Sequence, residues 1–170
     1  MGGPQSGPPA TRDDAGGGTA GADPGAPANP RFRRPESVLI VIYDSADEFL
    51  LIERCKPAGF WQSVTGSLEW GELPDDAARR EVIEETGIRD GVLTNLQWMQ
   101  TYEIWPSFGR TYAPGITHNR EHAFSLRLAA RVPVTLNPRE HCRYEWLSGS
   151  QAVARASSST NRAVIEHLRR

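Results

Sequence analysis

Residues 66 to 88 read GSLEWGELPDDAARREVIEETGI, and no other stretch restricts the fold of this 170-residue chain so tightly. Pro74 and Gly87 bracket the run. Proline is tolerated in the first turn of a helix, where its missing N–H costs nothing, and glycine reaches the left-handed conformation that ends one. The spacing predicts a helix over 75–86. Ala77, Ala78, Val82 and Ile83 give it a narrow apolar stripe, so one side must meet a core. Acids crowd the remaining positions: Glu72, Asp75, Asp76, Glu81, Glu84 and Glu85. Like charges one turn apart repel by about a few tenths of a kcal/mol per pair. The cluster therefore requires either solvent or a cation.

Glu81 and Glu85 are four residues apart and project from the same face, with Glu84 beside them and Glu72 in the loop that feeds the helix. Such oxygen donors suit Mg²⁺, which takes a few carboxylates and completes its shell with water and substrate phosphates. An ion held there would neutralise a diphosphate and polarise phosphorus, with water activated by a carboxylate or by the ion itself. A solvated acidic helix face is the competing reading of the charges alone.

The rest of the chain is a single-domain length of ordinary composition, behind an unusual start. Residues 1–30 are Gly, Pro and Ala with almost no bulky apolar side chain, so they are expected to be disordered. The folded domain is expected over 31–170. Removing one basic and three acidic tail residues from totals of 19 and 21 leaves 18 of each from Arg31 onward. That balance argues against a nucleic-acid partner. No apolar run approaches membrane-spanning length, and Cys55 and Cys142 form no C-x-x-C, so a cytoplasmic protein with reduced thiols is expected. Strands are expected at 37–44, 48–55, 61–66, 92–105, 121–132 and 144–147, and a last helix at 161–170. This order gives an α/β protein with a mixed sheet and helices on its faces.

Gly66, Glu72, Arg80, Glu81, Glu84, Glu85 and Gly87, with apolar Val82 and Ile88, fill every fixed position of G-x5-E-x7-R-E-U-x-E-E-x-G-U. In this the chain resembles the Nudix hydrolases. The resemblance implies an α/β/α sandwich and metal-dependent cleavage of a phosphoric anhydride. It implies catalytic roles for Glu81, Glu84 and Glu85, with Glu81 and Glu85 as metal ligands, and an ion pair of Glu72 with Arg80 that braces the loop. Leu73 departs from the Ser or Thr usual before Pro74, so the helix lacks a side-chain cap there. Ser63-Val64-Thr65 also departs from the Pro-Gly-Gly common before Gly66.

Outside the box, FRRPESVLIVIY, WQSVTG, YAPGIT, REHCRYEWL and STNRAVIEHL resemble the branch of the family that serves folate biosynthesis. The implied reaction is hydrolysis of 7,8-dihydroneopterin 3′-triphosphate to the monophosphate and pyrophosphate, with Mg²⁺ and possible substitution by Mn²⁺. The implied partner is a small-molecule triphosphate. Glu140, in NPREHC, is implied as a third metal ligand. A triphosphate also needs cations, and the fork of Arg54 is a candidate clamp, with Arg33 in a similar position. Thr65 can offer its hydroxyl beside Gly66. A flat pterin needs apolar faces and hydrogen bonds at its edge, and Tyr102, Glu103, Ile104 and Trp105 end a strand in a suitable place. Phe108 and Tyr112 are candidates to cap such a pocket, and Ser158 to touch the substrate. His118 and His122 are read as part of a loop running into a strand. Two rival readings keep the same box: a pyrophosphohydrolase of ordinary or oxidised nucleoside triphosphates, and a non-catalytic module that senses nucleotides.

Overall fold

The structure is a computed structural model that describes residues 31–106 and 111–169. The expected tail and Phe108 lie outside the described residues. The elements run β1 (Glu36–Tyr43), β2 (Glu48–Arg54), β3 (Trp61–Gln62), β4 (Val64–Ser67), α1 (Pro74–Thr86), β5 (Val92–Glu103), β6 (His118–Arg127), β7 (His141–Ser148), α2 (Gly149–Arg155) and α3 (Ser159–Leu168). They form a mixed seven-stranded sheet covered by helices on both faces, an α/β/α sandwich.

β1 is the axis of the sheet. VLIVI, residues 38–42, is apolar at every position and buried on both faces, as a central strand requires. Along one edge it runs parallel to β6, from Glu36 opposite Arg120 to Tyr43 opposite Arg127. The other edge is shared. β2 pairs with its end, Ile42 opposite Leu50, and β4 pairs antiparallel with its beginning, Ser37 opposite Ser67 through Ile40 opposite Val64. The sheet therefore splits between β1 and β2. WQSVTG crosses the split, pairing through β3 with β2 and through β4 with β1. The single strand expected at 61–66 is thus two, because its partners diverge at the buried Ser63.

Alternation along β1 divides the core. Val38, Ile40 and Ile42 point to one face, where Phe124 and Leu126 join Ala77, Ala78 and Val82 of α1. Leu39 and Val41 point to the other, packing with Phe49, Leu51 and Ala123 against Ala152, Val164 and Ile165 of α2 and α3. α1 begins with Pro74 at its first position, has Leu73 as an N-cap without a side-chain bond, and ends at Gly87 with φ 70°.

Several boundaries differ from the sequence reading. β6 starts at His118, so His118 and His122 belong to the strand, and it ends at Arg127 because residues 128–132 lack a ladder partner. β7 is twice the expected length because β2 offers it a full edge, from Glu48 opposite Ser148 to Arg54 opposite His141. α2 has no counterpart among the expected elements. It is only seven residues long, and the signal for it is Ser148, whose N–H donates to Oε1 of Gln151 at 3.1 Å. No helix among the described residues is long and apolar enough to cross a membrane.

Candidate active site

β4, the loop after it and α1 build the site. Arg80 organises the loop. Its Nε donates to Oε1 of Glu72 at 2.8 Å and its Nη2 to Oε2 at 2.9 Å, a bidentate fork. Nη2 also donates to the Ser67 carbonyl at 3.1 Å, and the Glu69 N–H donates to Oε2 of Glu72 at 2.9 Å. The fork holds the Glu72 carboxyl below the usual carboxylate range. Arg34 locks the same loop from the other side, donating to the Glu72 carbonyl at 2.8 Å and pairing with Glu36. The remaining nitrogen of Arg80, Nη1, reaches Oε1 of Glu81 at 2.6 Å and Oε2 of Glu84 at 3.3 Å.

The sequence sets Glu81 and Glu85 among the acids outside the apolar stripe of α1, where exposure is expected. They are instead buried, on the side of α1 that meets β4, while Glu84 alone turns outward. Ala77, Ala78 and Val82 draw that side onto the sheet, and the two acids go with it. Burial first, and then the charges of Glu81 and Glu140, push the Glu85 carboxyl up to about 9. Burial also raises Glu81, opposed by the hydrogen bond from Arg80. Glu140 is exposed; its Oε1 accepts from Nδ2 of Asn137 at 3.3 Å, and its carbonyl accepts from the Cys55 N–H at 2.8 Å. The fold thus brings Glu81, Glu85 and Glu140 within electrostatic reach from α1 and from the loop before β7.

Among the described residues no three His, Cys, Asp or Glu side chains converge as a ready cage. Arg80 occupies Glu81, and Asn137 occupies Glu140. The donor set nevertheless fits a hard divalent cation. Burial and the neighbouring carboxylates raise the proton affinity of Glu81 and Glu85, and a cation among them removes that penalty. The backbone leaves room for them at Gly66, where a Cβ would stand on top of the Glu81 carboxyl.

Arg54 ends β2 opposite His141, and its charge lowers both Glu85 and His141. Arg33 is exposed, and its backbone N–H donates to the Thr111 carbonyl at 2.7 Å. Thr65 places its N–H 3.4 Å from Oε2 of Glu85, and its hydroxyl accepts from Nε2 of Gln62 at 3.1 Å. Tyr102 to Trp105 divide four ways. The Tyr102 hydroxyl, set against Ser37 and Asn119, is pushed up to about 12, chiefly by burial. Glu103 is exposed, Ile104 is buried, and Trp105 stands 64% exposed, so it packs in no core. Tyr112 is partly buried. Ser158 is the N-cap of α3, accepting from the Asn161 N–H at 3.2 Å.

Residues that the sequence reading did not single out complete this region. Gln62 and His141 lie under Glu85, and burial followed by the charge of Arg54 lowers the His141 ring to about 4. On the opposite face of the sheet, Asn119 donates to the Ser37 hydroxyl at 2.7 Å, Ser63 donates to Asn161 at 3.3 Å, and Glu121 is buried. Buried polar side chains of this kind leave no periodic trace in a sequence.

Comparison with known proteins agrees with this fold. The NUDIX domain model matches residues 33–168. The chain is 39% identical over 142 residues to the dihydroneopterin triphosphate diphosphatase of Escherichia coli, covering 81% of this chain and 93% of that protein. It is 33% identical over 141 residues to the protein of the same name from Haemophilus influenzae, covering 80% and 88%. The solved structure of the E. coli dihydroneopterin triphosphate pyrophosphohydrolase matches with a TM-score of 0.73 and 38% identity, over 80% of this chain and 95% of that one.

Proposed function

Because the chain belongs to the NUDIX domain family, we propose that it is a Mg²⁺-dependent pyrophosphohydrolase that converts 7,8-dihydroneopterin 3′-triphosphate to dihydroneopterin monophosphate and pyrophosphate in folate biosynthesis. The observation that carries the substrate is the 39% identity, which spans nearly the whole domain rather than the box alone. Family membership carries the chemistry, hydrolysis of a phosphoric anhydride with a divalent metal.

Glu81, Glu85 and Glu140 would hold the ion, with Mn²⁺ able to replace Mg²⁺. When bound, the ion offsets the charge of the triphosphate and polarises phosphorus. The protein's own groups do the rest. Arg80 fixes Glu72 and with it the loop over the acids. Arg54, beside Glu85 and His141, offers a fork to phosphate oxygens. Glu84, outward on α1, would accept a proton from water at the rim of the acid cluster.

Product analysis in H₂¹⁸O with Mg²⁺, on the pterin triphosphate and a panel of deoxynucleoside triphosphates, tests the reading. The expected result is pyrophosphate release with the highest kcat/KM on the pterin. A deoxynucleoside triphosphate with the higher kcat/KM would make this a nucleotide pyrophosphohydrolase instead.

A further inference from the structure

His141 has no part in the reading above, yet its side chain is fully buried. It opens β7, directly after Glu140. Nε2 of its ring lies 3.5 Å from Nε2 of Gln62, and Nδ1 lies 4.0 Å from Oε1 of Glu85. Nδ1 has no hydrogen-bond partner. The Gln62 amide also donates to the Thr65 hydroxyl at 3.1 Å, and the Thr65 N–H faces Oε2 of Glu85 at 3.4 Å. Glu85, Thr65, Gln62 and His141 therefore close a ring, drawn from α1, β4, β3 and β7.

With the Gln62 amide nitrogen turned toward both Thr65 and His141, the proton count around this ring has one solution. An amide nitrogen carries two hydrogens and accepts none. One hydrogen of Gln62 goes to Thr65, and the other faces Nε2 of His141. A ring nitrogen that faces a donor must be bare. A neutral imidazole has a single N–H, so it sits on Nδ1, aimed at Glu85. A buried donor left beside a carboxyl group is a costly arrangement unless the carboxyl turns to accept it.

We infer that His141 is the positioning residue for Glu85: its Nδ1–H, fixed by Gln62, takes one carboxylate oxygen while the Thr65 N–H takes the other. Each oxygen keeps a lone pair for the cation, and the carboxylate loses its freedom to rotate away. Imidazoles that orient metal-binding carboxylates in this way act through the ligand and not on the substrate. The inference rests on Glu85 being a ligand of the divalent cation proposed above.

Nitrogen NMR of the full chain with ¹⁵N-labelled histidine tests the tautomer. His141 is expected to show a protonated Nδ1 and a bare Nε2, with the Nδ1–H signal moving when Mg²⁺ is added. The opposite tautomer overturns the inference, and this arm needs no variant to fold. The second arm compares His141→Asn with His141→Gln in Mn²⁺ affinity and in turnover. The Asn amide occupies the place of Nδ1–H, and the Gln amide that of Nε2. His141→Asn is expected to stay close to wild type, and His141→Gln to lose about 10–100-fold in Mn²⁺ affinity and kcat with little change in KM. Equal losses in both variants overturn the inference. Normal Mn²⁺ binding and the Nδ1–H tautomer in a protein that leaves the pterin triphosphate intact would instead count against the substrate, and leave His141 in its role.

Discussion

Gly66 in β4 lies so close to Glu81 in α1 that a Cβ at that position would stand 1.8 Å from Cδ and 1.9 Å from Oε1 of the carboxyl. Real atoms never approach so closely, so the glycine is required by its neighbour and not by its own backbone angle. The acid fills the space that a side chain would take. Gly66→Ala is expected to cost about 1–3 kcal/mol of stability through overpacking. By moving Glu81 roughly 1 Å it should lower kcat on the order of 10²-fold. Urea unfolding and steady-state kinetics on the same preparation check both. Unchanged turnover would mean that the position of Glu81 does not matter to the chemistry.

Glu85 is expected to bind its cation by giving up a proton. Burial, with the charges of Glu81 and Glu140, raises its carboxyl to about 9, so the metal-free protein holds it neutral at pH 7.5. Cation affinity should then rise with pH up to about 9, by roughly tenfold per unit. Calorimetry in two buffers of different ionisation enthalpy should show about one proton released per ion. Glu85→Gln should abolish the release and lower kcat by orders of magnitude while the fold persists. An unchanged release would assign the proton to another group.

Glu121 makes stability depend on pH. Desolvation raises its carboxyl to about 7, the hydrogen bond from Thr160 only partly offsets this, and Oε2 has no partner. A folded value above the unfolded 4.5 means that the favourable contribution is full below pH 4.5 and is lost as pH rises through 7. The stability difference between Glu121→Gln and wild type should therefore shift toward the variant between pH 4.5 and 8. The shift should be on the order of 3 kcal/mol. Urea midpoints at the two pH values measure it, and a difference independent of pH would show that Glu121 titrates normally.

Arg54 is expected to act on binding more than on the chemical step. It ends β2, and its charge acts on Glu85. Arg54→Ala should raise KM with kcat nearly unchanged, as the loss of an interaction made equally in ground and transition states does. A fall in kcat at constant KM would place its contribution in the transition state.

What the sequence determined by itself was local. Pro74, Gly87 and the apolar stripe between them set α1, and the unbroken apolar run Val38–Ile42 of β1 marked the centre of the sheet. The box spacing placed Glu81 and Glu85 on one face, and it placed Glu72 within reach of Arg80. These relations span less than twenty residues, and helical period or loop length fixes them. Only the tertiary structure decided that this face is buried, that WQSVTG divides between two partners, and that Glu140 reaches the acids of α1. It also decided the ring around Glu85, in which Gln62 and His141 meet across 79 residues. The reason is physical. Backbone angles and side-chain period depend on near neighbours, whereas the solvation of a carboxyl depends on what the rest of the chain packs over it, and that follows from which strands find one another.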